Sequence, residues 1–272
     1  MNNRNCEVVG FSHIGGRENN EDVFSILADG QLIVVADGMG GHAGGDQASA
    51  QAVSTVSRLL DQFDLNALSR VEPALQAQML KTLLLSMIKE ANADIHALNN
   101  GATGRDRMGT TLTLVFVGAH SLHVAWVGDS RVYIAGRGKL LQLTDDHTLN
   151  YELFKCGHLS KAELRANTSG RGSHVITRSL GVDKAEPDYL ESPVSEGDVV
   201  LCCSDGLNNS VSSAVLQKHL SAQSKVQDIC AALIEEALKA GASDNVTAVV
   251  TRIPVQKPQR LWLKKLRSWL GL

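Results

Sequence analysis

Residues 111–136 read TLTLVFVGAHSLHVAWVGDSRVYIAG. Thr111–Val117 and Ser121–Val127 are apolar runs rich in Val and Leu, parted only by Gly118, Ala119 and His120. A gap that short forces the chain back on itself, so the two runs form a hairpin and part of the sheet is antiparallel. Val132–Ala135 follows at once as a third strand. Outward from this core, Gln31–Ala36, Val199–Cys203 and Val246–Thr251 carry the same signature, bounded by Gly, Asp or Ser. Gly45–Phe63, Ala74–Leu98 and Val226–Ala240 place Ala and Leu at helical spacing, with Gly241 a stop for the last. Residues 145–175 are polar, mix Gly with charge and lack a period. They read as a loop-rich flap with one short helix near Lys161–Ala166. These strands and helices are compatible with an α+β chain but do not by themselves establish it.

The chain has 272 residues, 43% hydrophobic and 20% charged, with a net charge of −3. This suits one large globular domain. Without a basic excess, nucleic acid is not an expected partner. Five cysteines, Cys6, Cys156, Cys202, Cys203 and Cys230, show no CxxC spacing. They read as reduced thiols. The first residues, MNNRNCEVVGF, lack the apolar stretch of a signal peptide, and no window has the apolar length of a membrane span, so the expected location is the cytoplasm.

The apolar runs share a second property: each meets an aspartate beside a small residue, as in LIVVADG (Asp37), VAWVGDS (Asp129), VLCCSDG (Asp205) and SDNVTAVV (Asp244). One Asp-Gly alone is most simply a turn or a helix cap. Four on separate strands, with Glu21-Asp22 besides, describe strand ends converging on one sheet edge. Carboxylates gathered there repel one another unless cations neutralise them, and all-oxygen ligands select Mg²⁺ or Mn²⁺.

These residues also carry a resemblance. GGRENNED (15–22), VVADGMGGHAGG (34–45), MGTTL (108–112), WVGDSRVY (126–133), LTDDHT (143–148), TRSLG (177–181), CSDGLNNSV (203–211) and SDNVTAVV (243–250) occur in the order of the PP2C-type (PPM) metal-dependent protein phosphatases. The chain most resembles their compact bacterial branch, over residues about 7–253. The resemblance implies a four-layer α-β-β-α sandwich of two antiparallel sheets flanked by helices, with a metal cleft at one end.

It further implies that Asp37 bridges two tightly held Mn²⁺ or Mg²⁺ ions, with the Gly38 carbonyl as an added ligand. Glu21 would serve one ion, and Asp205 and Asp244 the other. Asp129 with Asp205 matches the place of a third, weaker ion. Asp22 would act through water, and Asn245 from behind the ligands or on the substrate side. Arg17 falls where the family keeps its phosphate-binding arginine, a group suited to phosphoryl oxygens. The implied reaction is hydrolysis of phosphoserine and phosphothreonine in proteins by water activated between the ions. The implied setting opposes a Ser/Thr kinase, as a monomer. One departure is Met39, where eukaryotic relatives have a histidine acid. His42 reads as a loop-structuring histidine, and His147 as a hydrogen-bonding loop residue. A catalytically weak member kept as a binding module would have lost metal ligands, and none is lost.

After Ile253 the composition shifts. Residues 254–272 form a basic tail containing Trp262 and Trp269 and, drawn as a helix, an amphipathic one. Three readings stay open over 257–272: weak membrane-surface contact, a protein partner, or packing back onto the domain.

Overall fold

The computed structural model describes residues 7–39, 44–118, 120–166, 175–182 and 185–255. His42, the flap centre at 167–174 and the tail 256–272 lie outside these residues.

Eleven strands alternate with helices among the described residues. They are β1 (Glu7–His13), β2 (Asp22–Leu27), β3 (Leu32–Met39), β4 (Gly109–Thr110), β5 (Leu112–Val117), β6 (Ser121–Val127), β7 (Arg131–Gly136), β8 (Lys139–Gln142), β9 (Asp188–Pro193), β10 (Val199–Cys203) and β11 (Val246–Arg252). One sheet runs β1-β11-β10-β7-β8; the other runs β2-β3-β5-β6-β9, with β4 added beside β3. All pairings are antiparallel.

The wholly apolar strands have a simple cause. Strand side chains alternate faces, and here both faces are covered. In β3, Leu32, Val34 and Ala36 join a core with the long helices α1 (Gly45–Asp61) and α3 (Pro73–Leu98), between which lies the short α2 (Leu65–Leu68). Ile33 and Val35 of the same strand face the middle core, with Val124 of β6, Val200 of β10 and Val249 of β11. Leu201, Cys203 and Val250 turn outward to a third core. Those residues meet the helices after β10: α6 (Asp205–Ser210), α7 (Ser213–Leu220) and α8 (Val226–Lys239). Three cores between four layers give the expected sandwich. α3 starts with Pro73 in its first turn, where a missing N–H costs nothing. No helix among the described residues is long and apolar enough to cross a membrane.

Several elements differ from the sequence expectation. β1, β2 and β9 are half-buried strands whose polar residues disguise them. β8 is a short edge strand. In the flap, α5 (Lys161–Ala166) appears where expected, and α4 (Leu149–Lys155) adds a helix that its seven residues are too few to announce as a period. β3 does not stop at Ala36. It continues through Met39 because β4 supplies partners for Gly38 and Met39.

Candidate active site

The acidic residues come from five separate places. Asp37 lies in β3 and Asp22 opens β2, opposite it in register. Asp129 sits in the β6–β7 turn, after Gly128 at φ +110°. Asp205 starts α6, directly after β10, and Asp244 precedes β11. Glu21 immediately precedes β2. The sandwich brings them to one end.

Hydrogen bonds fix each arrival. The Asp37 backbone is clamped: its N–H donates to Thr111 Oγ1 at 3.0 Å, and its carbonyl accepts from Thr111 N at 2.9 Å and Thr110 Oγ1 at 2.9 Å. Thr111 Oγ1 also shares a 2.9 Å bond with Ser130 Oγ, linking the Asp37 strand to the Asp129 turn. Ser204 Oγ donates to Asp22 Oδ2 at 2.7 Å and accepts Thr247 N–H at 3.0 Å. Asn245 gathers the 14–21 loop. Its Oδ1 accepts Glu21 N–H at 2.8 Å, and its Nδ2 donates to the carbonyls of Ile14 and Asn19, each at 2.9 Å. Thr111, Ser130 and Ser204 were not singled out from sequence; Ser130 and Ser204 adjoin Asp129 and Asp205, but their partners, like those of Thr111, are distant in the chain.

Gly38 can be nothing else. A Cβ there would stand 2.2 Å from the Gly45 carbonyl oxygen and 2.7 Å from that of Glu21. Gly206 is equally confined, 2.0 Å from the Asn245 oxygen. Both glycines of the Asp-Gly pairs therefore let backbones close around the carboxylates.

The field at this end is strongly negative. Burial first, then Asp22, Asp205, Asp129 and Asp244, push the Asp37 carboxyl well above the usual carboxylate range. Burial and then Asp205 and Asp146 do the same to Asp129, against the opposing pull of Arg131. Asp22 is pushed to about 6 by burial, less the help of Ser204 and Thr247. Glu21 is raised by burial, then by Asp46, with Arg17 opposing. Arg17 Nη2 donates to Asp244 Oδ2 at 2.6 Å.

Beside this cluster the flap is fastened to the sheet. Arg131 holds Asp146 with two bonds, 2.8 and 2.5 Å, and Trp126 Nε1 donates to the Asp145 carbonyl at 2.8 Å. His147 is buried and stacked on Trp126, and its Nδ1 accepts the Gly128 N–H at 3.1 Å. It is a hydrogen-bonding loop residue, as expected.

The family model for protein phosphatase 2C matches residues 9–241 of this chain. The chain belongs to the protein phosphatase 2C family. The serine/threonine phosphatase stp of Listeria monocytogenes serotype 4b (strain F2365) is 33% identical over 238 residues, covering 86% of this chain and 90% of that protein. The Streptococcus agalactiae (S. agalactiae) serine/threonine phosphatase structure superposes with a TM-score of 0.80 at 31% identity, over 91% of this chain and 99% of that one. The catalytic domain of the phosphatase PstP, solved with two manganese ions, superposes at 0.76 with 31% identity, over 92% and 99%.

In this PP2C-family enzyme the donor set fits hard cations. Asp22 Oδ1 and Asp129 Oδ1 are buried and accept no hydrogen bond. A buried, unpartnered carboxylate oxygen is costly unless a positive charge meets it. Among the described residues no three His, Cys, Asp or Glu side chains close into a ready-made coordination shell.

Proposed function

We propose that this enzyme hydrolyses phosphoserine and phosphothreonine in proteins at a centre of two tightly held Mn²⁺ or Mg²⁺ ions. The observation that carries the reading is the half-buried Asp37 carboxylate, which feels the charge of four other aspartates, two of them, Asp22 and Asp129, buried. Asp37 would serve both ions, the Gly38 carbonyl would be an added ligand, Glu21 would hold one ion, and Asp205 and Asp244 the other. Asp129 with Asp205 offers a third, weaker position, and Asp22 contributes through water. Ions bound there supply positive charge for phosphoryl oxygens and acidify water near neutral pH.

The chain's own residues do the rest. Thr110 and Thr111 hold Asp37 against drift, and Asn245 holds the loop carrying Arg17 and Glu21. Arg17 is half exposed on Asp244. Asp244 would be drawn to an ion held at the site, and Arg17 would then offer its guanidinium to phosphoryl oxygens in pairs. Met39 cannot supply a proton, and buried His147 spends Nδ1 on the Gly128 N–H and Nε2 beside Asp188, so the leaving oxygen would take its proton from water in the cleft. The setting is opposition to a Ser/Thr kinase by a monomeric phosphatase domain ending near residue 253.

The test uses purified protein with p-nitrophenyl phosphate and with phosphoserine, phosphothreonine and phosphotyrosine peptides. Turnover should require Mn²⁺ or Mg²⁺, stop in EDTA and favour the first two peptides. Full activity after exhaustive chelation refutes the metal reading; preference for phosphotyrosine refutes the substrate class.

A further inference from the structure

A cavity of about 940 Å³ opens beside the carboxylates. Asp129 and Asp205 form one end, and β8, the flap helices α4 and α5, and the segment from α6 to α7 form the walls. A single phosphorylated side chain would leave most of it unfilled, since cavities of roughly 300–1,000 Å³ enclose ligands of drug size. Whatever occupies the far part is joined by continuous space to the reaction end.

The β8 wall is a sheet edge. Among the described residues β8 pairs only with β7, in the register Tyr133↔Gln142, Ile134↔Leu141, Ala135↔Leu140. Leu143 N–H donates to the Val132 carbonyl at 2.8 Å, which fixes the alternation: Leu143, Leu141 and Lys139 face β7 with their backbone groups. Leu140 and Gln142 therefore direct their N–H and C=O outward, and no described residue bonds them. Both residues line the cavity. Because β7 starts just after Asp129, the antiparallel β8 runs toward that same end. Leu140 to Thr144 spans roughly 14 Å at about 3.4 Å per residue, room for about four residues of extended chain.

The geometry points to β8 as a docking strand on which the substrate polypeptide lies extended, pairing its main chain with Leu140 and Gln142 while its phosphorylated residue reaches Asp129 and Asp205. This rests on the phosphatase reading. Recognition through the main chain is indifferent to sequence, and side-chain preference comes from alternate positions along the strand. The exposed Leu141, with Phe154 and Leu164 across the cavity, offers an apolar seat for such a residue.

Two experiments test it. Leu140→Pro deletes an outward N–H that the β7–β8 ladder does not use, a change an edge strand tolerates. KM for a phosphothreonine octapeptide should rise about tenfold, with kcat and p-nitrophenyl phosphate kinetics unchanged. Independently, wild-type enzyme should lose a similar factor on octapeptides N-methylated at one flanking amide, with methylation at alternate positions harmless. Octapeptide KM unmoved by methylation at every position overturns the proposal, even if Leu140→Pro fails to fold. Concentration-dependent dimerisation abolished by Leu140→Pro also overturns it, because a second copy then occupies the edge. Wild-type enzyme inert on p-nitrophenyl phosphate with Mn²⁺ overturns the underlying phosphatase reading instead.

Discussion

Asp22→Asn should make the metal-free protein more stable while damaging catalysis. Asp22 is buried, with one oxygen held by Ser204 and the other without a partner. An asparagine keeps the acceptor for Ser204 and turns an amide N–H₂ toward the neighbouring carboxylates. The folded carboxyl titrates at about 6 instead of 3.8. The fold thus favours the protonated form: the penalty is absent below the unfolded value and grows as pH rises through the folded one. At ~1.4 kcal/mol per unit, the ionised group costs at most about 3 kcal/mol near pH 7.5 and about 1 kcal/mol near pH 4.5. For a domain of this size, 3 kcal/mol raises Tm by about 5–10 °C. Thermal melts in excess chelator at the two pH values measure it directly. Saturating Mn²⁺ should narrow or reverse the gap, because the wild type gains more from ion binding. A variant that melts lower than wild type at about pH 7.5 without metal, or differs equally at both pH values, refutes the electrostatic argument.

Asp37→Ala and Asp205→Ala should each lower kcat by on the order of 10²–10³, and calorimetry should show Asp37→Ala unable to bind two Mn²⁺. Arg17→Ala should raise KM for phosphopeptides and keep Mn²⁺ binding, a split that steady-state kinetics and calorimetry resolve together. Asn245→Ala removes three hydrogen bonds to the 14–21 loop and should cost about 1–3 kcal/mol in denaturant melts, with weakened Mn²⁺ affinity. Mn²⁺ affinity in the wild type should fall as pH drops through about 6 and not only near 4, because protons compete with the ions for Asp22 and for the raised carboxyls of Asp37 and Asp129.

The sequence was most legible where chemistry and burial agree. β5, β6 and β10 are apolar on both faces because helices and a second sheet cover them, and such runs cannot be mistaken for loops. The Asp-Gly and Gly-Asp pairs marked Asp37, Asp129 and Asp205 because a carboxylate and a missing Cβ serve the same close approach. β1 and β2 were hidden by polar residues such as Glu7, Ser12 and Ser25 on their half-exposed faces. α4 was hidden by brevity. Ser204 and Thr111 escaped notice because their importance lies in partners 182 and 74 residues away, a relation no local pattern encodes.

β11 has a consequence for how the molecule is made. It is the last described strand, yet it lies between β1 and β10, and β1 has no other strand partner among the described residues. A ribosome that has synthesised residues 1–243 has delivered every part of the β2–β9 sheet. Its nascent chain still lacks Asp244, the Asn245 staple and the middle of the other sheet. The N-terminal strand must wait, unpaired, for most of translation, and the loop bearing Arg17 and Glu21 waits with it. Hydrolytic competence therefore arrives late and all at once, when the strand beginning at Val246 slots into place. A chain that stops before that strand lacks Asp244, the Asn245 bonds to the 14–21 loop and the strand that joins β1 to β10.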